Sequence, residues 1–300
     1  MELGILAAIC AAIIWAAASI VSYRPVIHFG VLDFTRIQLP MSALLLGLVV
    51  TLQGNWGSLN WAQWIPIAFS GIIGILLGDI ALHSCLKYGG PRRMQLLFAL
   101  NAPMASLIGF LALGEVLSLS DAIGGFLILT GIALAILYNN PQSNDGTGEK
   151  LTGSLLQVLF WGLLSALCQA IGLIIMKPIV DAGTDPLAAS AARTILSAVL
   201  LMTTLLIPQM RFRTVDKQDI APIVLATVAG WMGYVGAMSL LIFALQSQNT
   251  GIVAVLGSTA PIMILPILWV INKRPPALPG WAGAGLAIGG IAILSEMPFH

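Results

Sequence analysis

Ten apolar stretches follow one another along the 300 residues, each close to the ~20 residues that a helix needs to cross a bilayer. They run over 4–23, 34–52, 64–86, 93–113, 120–138, 154–176, 187–207, 221–243, 251–271 and 279–295, and are called spans 1 to 10. A membrane barrel would instead alternate apolar and polar positions in segments of about 10 residues. Ten helices use about 200 residues, leaving roughly ten for each connection or tail. No folded soluble domain fits in that remainder. Composition agrees, with 58% hydrophobic and 8% charged residues, against about 25% charged in a soluble domain. The expected fold is an all-α integral membrane protein.

The net charge of +1 argues against a nucleic-acid partner, because such binding needs a basic stripe. Cys10, Cys85 and Cys168 are odd in number, far apart and inside apolar runs, so they read as small hydrophobes rather than a disulfide or metal set. No basic region precedes the first apolar run, so span 1 is expected to be retained. Gly54-Asn55, Gly89-Gly90-Pro91, Asp185-Pro186 and Pro275-Pro276 supply turn chemistry between spans.

The longest polar stretch, 139–152, sits near the middle of the chain and reads as a linker. Five spans lie on either side, and the two sets match in order. Arg24-Pro25-Val26-Ile27 answers Lys177-Pro178-Ile179-Val180 at an offset of 153, and Arg36 answers Arg193 at 157. Gly71 and Gly74 answer Gly230 and Gly233, while Ala102-Pro103-Met104 answers Ala260-Pro261-Ile262 at 158, as Gly131 answers Gly289. An odd number of helices per repeat makes the second copy enter from the opposite side. The expected organisation is a five-helix repeat over 1–138, the linker 139–152, and an inverted five-helix repeat over 153–300. Inverted repeats are the recurrent plan of secondary transporters, with the substrate site near the midplane between them.

These residues resemble the EamA-type members of the drug/metabolite transporter superfamily. The resemblance is carried by the five-plus-five pattern, the proline in the fourth helix of each half, and the segment Glu115 to Gly131, where a Glu precedes a helix with Gly124 and Gly131. Lys273 stands where the pattern usually has a second Glu. The resemblance implies an exporter or exchanger of small metabolites, such as amino acids or related amphipathic solutes. It also implies a central cavity lined by spans 1–4 and 6–9, with spans 5 and 10 peripheral.

A charge inside the bilayer is costly and marks function by default. Asp79 lies deep in span 3, His83 follows one turn later, and Lys87 one turn beyond. A stacked carboxylate and imidazole can pass on a proton, or can simply hydrogen-bond neighbouring helices and neutralise each other. Their repeat counterparts, Met238 and Ile242, are apolar. Pro103 and Pro261 each remove a donor within an apolar run, which reads as a symmetric pair of hinges or as packing kinks. Beside them, Asn101, Ser258 and Thr259 are candidate substrate contacts. Arg36 and Arg193 lie within their spans, either to snorkel or to meet a carboxylate or gate charge. Trp15, Ser19, Gln169, Trp231 and Tyr234 complete the candidate cavity, and the Gly71, Gly74, Gly78 series reads as a close packing face.

Eleven of the thirteen Lys and Arg residues lie at odd-numbered connections or the helix ends nearest them, with only Lys177 and Arg193 toward the even side. The positive-inside rule then places odd connections in the cytoplasm of a cell (inner) membrane protein and both termini outside. The resemblance implies the opposite orientation. The charge count, read from this chain, is followed. No metal, cofactor or catalytic motif is found, and no Walker loop for ATP-driven transport. The expected activity is therefore secondary transport, not enzymatic, with the runner-up readings a non-transporting helper or lipid-flippase component, or an integral membrane enzyme. The expected partners are a small-molecule substrate, the bilayer, protons, and a second copy of the chain through spans 5 and 10.

Overall fold

A computed structural model describes residues 2–114, 119–137, 153–207 and 220–272, with parts of 282–293. All regular structure among the described residues is helical. The first half comprises α1 (Glu2–Phe29), α2 (Val31–Gln53), α3 (Trp64–Ser70), a π-helical segment Gly71–Leu77, α4 (Gly78–Phe98), α5 (Asn101–Leu113) and α6 (Leu119–Leu137). The second comprises α7 (Leu155–Asp181), α8 (Pro186–Thr203), α9 (Ile220–Gly230), a π-helical segment Trp231–Met238, α10 (Ser239–Ala244), α11 (Thr250–Gly257) and α12 (Ala260–Asn272). Six helices are long and apolar enough to cross a membrane: Leu3–Phe29, Val31–Gln53, Trp61–Pro91, Leu155–Asp181, Pro186–Leu206 and Ile220–Ala244. Spans 4 and 9 are broken, and span 5 is the 19-residue α6. The linker 139–152, Glu115, Lys273 and most of span 10 lie outside the described residues.

The surface fits a lipid solvent. Leu44, Leu48, Ile65, Phe69, Leu107, Phe110, Leu163 and Val199 are exposed large hydrophobics on successive helices, with Trp61 at a helix start. Aromatic side chains of this kind sit at the bilayer interface. The interior is built from small residues. Ala8, Ala11, Ala12 and Ala16 of α1 are fully buried, a spacing that lets helix backbones approach where hydrophobicity cannot drive them together. The largest core joins the halves, packing Ala8 and Ala11 with Ala102 and Ala105 of α5, Leu173 of α7 and Leu241 of α10.

The repeat is visible in the turns and in the packing. Gly30 after α1 and Gly183 after α7 both have positive φ, 79° and 87°. Pro25 and Pro178 do not end their helices as the sequence reading expected. α1 continues to Phe29 and α7 to Asp181. Each proline removes one i→i−4 bond, and only a single helical turn follows it.

Spans 3 and 8 each pass through a π-helical segment where a glycine presses on a helix of the other repeat. A Cβ on Gly71 would lie 2.8 Å from Arg193 O and 2.7 Å from Ser197 Oγ, and one on Gly230 would lie 2.9 Å from Gln38 O and 2.5 Å from Ser42 Oγ. Ser42 donates to Gln38 O and Ser197 to Arg193 O. The packing therefore pairs Gln38, and not Arg36, with Arg193. The sequence match of the two arginines was two residues out of register, because like charge does not mark like position when the packing surface is glycine against backbone.

Candidate functional site

A cleft lies between the repeats. α1 contributes Trp15, Ala18, Ser19 and Ser22, α2 contributes Gln38, and α4 contributes Asp79, Leu82, His83, Leu86, Met94, Gln95 and Phe98. The second repeat closes it with Ala229, Gly233, Tyr234 and Met238 of span 8. All four helices present these residues in the half of the molecule nearer Gly30 and Gly90. Gly90 is where α4 turns non-helical, with φ 79°.

Asp79 opens α4 directly after the π-helical segment. Such segments recur at functional sites because they shift the helix register locally. Asp79 is half-buried and its Oδ2 is buried without a hydrogen-bond partner. His83 is buried, with its ring edge-on to Phe34 at 4.8 Å and its Nδ1 3.2 Å from Thr35 Oγ1. The Thr35 hydroxyl donates to Val31 O at 2.8 Å. One assignment serves both contacts: His83 Nδ1–H donates to Thr35, leaving Nε2 as an acceptor. Asp79 and His83 thus share the cleft, but the hydrogen bond of His83 is to Thr35 and not to Asp79.

Arg193 belongs to a different wall. It is fully buried, with Nη2 3.4 Å from Ser70 O and Nη1 3.9 Å from Met238 Sδ. It lies over the crossing of Gly74 and Gly172, where a Cβ on Gly74 would be 2.9 Å from Gly172 Cα and 2.8 Å from Arg193 Nη2. The position equivalent to Gln38 in the open cleft is thus filled by a packed guanidinium in the second repeat, so the cleft is one-sided.

Of the candidate residues, Trp15, Ser19, Tyr234, Asp79 and His83 line the cleft. Arg36 is buried, paired with Asp33 at 3.2 Å and donating to Thr204 Oγ1 at 2.5 Å. It neither snorkels nor faces the cleft, because Asp33 neutralises it inside the protein. Gln169 is buried away from the cleft. Trp231 is 41% exposed and donates to Met41 O at 3.1 Å, so it packs on the outside of α2. Among the described residues, spans 6, 7 and 9 supply none of this cleft's lining.

Asn101, Ser258 and Thr259 serve the helix breaks rather than the cleft. α4 and α5 are separated by Ala99–Leu100, and α11 and α12 by Ser258–Thr259. In both breaks a side chain satisfies the carbonyl three residues back: Asn101 Nδ2 donates to Phe98 O at 2.6 Å, and Thr259 Oγ1 to Leu256 O at 2.7 Å. Pro103 and Pro261 follow in the first turns of α5 and α12, so they are not mid-helix as expected. A proline there removes no intrahelical bond. Ser22, Gln38, Met94 and Gln95 were missed. Weighing neutral amides inside spans as charges were weighed would have found Gln38 and Gln95.

The end of the molecule away from the cleft is closed by polar contacts between repeats. Asn55 Nδ2 donates to Asp185 Oδ2 at 3.1 Å, the Asp185 N–H donates to Ser58 Oγ at 3.2 Å, and Thr184 Oγ1 donates to Gln63 Oε1 at 3.1 Å.

Comparison with known proteins fits this arrangement. The EamA-like transporter family profile matches residues 2–137 and 156–296, one repeat each. A protein of known crystal structure superposes with a TM-score of 0.76 at 15% identity, covering 98% of this chain and 97% of that one, which shows a shared fold. No curated protein sequence shows significant similarity.

Proposed function

This chain belongs to the EamA-like transporter family, and from that premise we propose that it is a secondary transporter, exporting or exchanging small amphipathic metabolites by alternating access around the cleft. It is a multi-pass membrane protein. The observation that carries the reading is the cleft itself. A polar, aromatic-lined space lies between the two repeats, and polar contacts between the repeats close the end away from it. Opening the Asn55–Asp185 lock while the cleft walls close gives the opposite state. The breaks at 99–100 and 258–259 are the hinges, since each interrupts a span at its middle. Asp79, with His83 in the same cleft, couples proton movement to the solute. Odd-numbered connections face the cytoplasm.

Proteoliposomes loaded with a labelled metabolite panel test this. Counterflow of at least one amphipathic solute, with proton flux lost in Asp79→Asn, is the expected result. Chemical conversion of the solute, or no displacement by folded protein, would refute transport. A C-terminal reporter that matures only in the cytoplasm checks orientation, and bright fluorescence would reverse it.

A further inference from the structure

We propose that the cleft is built for an organic cation: a primary or secondary ammonium on an apolar or aromatic body, carrying no carboxylate, with Asp79 as its counter-charge. The proposal rests on the cleft being the transport site and narrows its substrate class.

Among the described residues that line the cleft, Asp79 is the one charged side chain. It lines the cleft, and its Oδ2 is buried without a hydrogen-bond partner. Gln38 Oε1 and Tyr234 Oη in the same wall are also buried without partners. A carboxylate and an amide oxygen only accept, and a phenol oxygen can accept while its O–H donates. The hydroxyl proton of Ser19 is engaged on Ala16 O at 2.8 Å, which leaves its oxygen as an acceptor. His83 Nε2 adds another, by the tautomer argued above. The wall is rich in unmet acceptors, and buried polar atoms without partners are costly. An ammonium brings two or three N–H donors and no acceptor, which matches such a wall. Trp15, Phe98 and Tyr234 supply ring faces and edges for the body and for the charge.

A carboxylate-bearing solute finds no equivalent. Arg36 is held by Asp33 and Thr204, and Arg193 by Ser70 O and Met238 Sδ, and neither lines the cleft. An amino acid would therefore place its carboxylate beside Asp79 with no cation to receive it.

The test uses four probes with one shared body: 2-phenylethylamine, phenylalanine, 3-phenylpropionate and 2-phenylethanol. A fifth, hexylamine, varies the body. Binding to the full chain in nanodiscs is followed by calorimetry and thermal shift, beside counterflow of the metabolite panel. Both amines are expected to bind saturably, at least about tenfold tighter than the other three, since hydrogen bonds to a charged group are the strong ones. Asp79→Asn should remove that preference and Asp79→Glu should keep it. If Asp79→Asn does not fold, Tyr234→Phe and Gln38→Leu take its place, with each expected to weaken amine binding. Tighter binding of phenylalanine than of its amine overturns the proposal and leaves transport standing. Amine binding unchanged in the variants also overturns it. If no probe binds and no panel solute moves, both readings fall.

Discussion

Asn101 Nδ2 lies 3.1 Å from Ser258 Oγ, so the break in one repeat is hydrogen bonded to the break in the other across 157 residues of chain. Both residues are buried. The same Asn101 amide group donates to Phe98 O, so one side chain both completes its own broken helix and joins the repeats. A hydrogen bond between helices in lipid contributes about 0.6 kcal/mol on average. A double-mutant cycle of Asn101→Ala and Ser258→Ala, read by unfolding in bicelles, should give a coupling of about that size. Additive effects would show that the two breaks are independent.

Gly74 and Gly172 let α7 cross span 3 backbone to backbone, with Arg193 laid over them. Gly74→Val should force the helices apart and cost about 1–3 kcal/mol, as overpacking does. Gly57→Ala, where an added Cβ meets nothing within 4 Å, is the control and should leave the melting temperature unchanged.

Asp185 caps α8 by accepting from the Ala188 N–H at 2.9 Å and holds Asn55 with its other oxygen. Asp185→Ala should cost about 1 kcal/mol from the cap alone. It should also raise alkylation of a cysteine placed at Ser58, because the end lock is lost. Asn55→Leu leaves the cap intact, so it should raise labelling with little change in stability. Equal labelling in all three proteins would exclude a lock.

Pro103 is exposed in the first turn of α5, and Pro261 is buried in the matching turn of α12. Neither ring replaces an intrahelical bond, so Pro103→Ala should change stability by less than about 0.5 kcal/mol. Uptake by the Pro103→Ala/Pro261→Ala double variant should nevertheless fall, because alanine lets the two halves of each span join into one helix. Full uptake would mean that the breaks are not hinges.

Much of this was readable along the chain. Hydrophobic run length placed the spans within a few residues, and the offset between Ala102-Pro103 and Ala260-Pro261 located both helix breaks. Asp79 was found because a lone carboxylate in an apolar run is conspicuous. Arg36 and Arg193 were equally conspicuous and misled, since a buried arginine is explained by what meets it. Asp33, one helical turn away, and Thr204, at the far end of α8, meet Arg36, and glycines on two other helices make room for Arg193.

Membrane residence, a twofold repeat of the chain and the scarcity of interior charge are all legible in the amino-acid sequence. These follow from local quantities: residue hydropathy, run length, and spacing within one chain. Only the tertiary structure decided which repeat holds the open cleft, that Gln38 and Arg193 are the equivalent positions, and that Asn101 and Thr259 close backbone carbonyls instead of facing a ligand. Those outcomes depend on how closely helices distant in sequence approach, and that distance is set by small residues acting together across the interface.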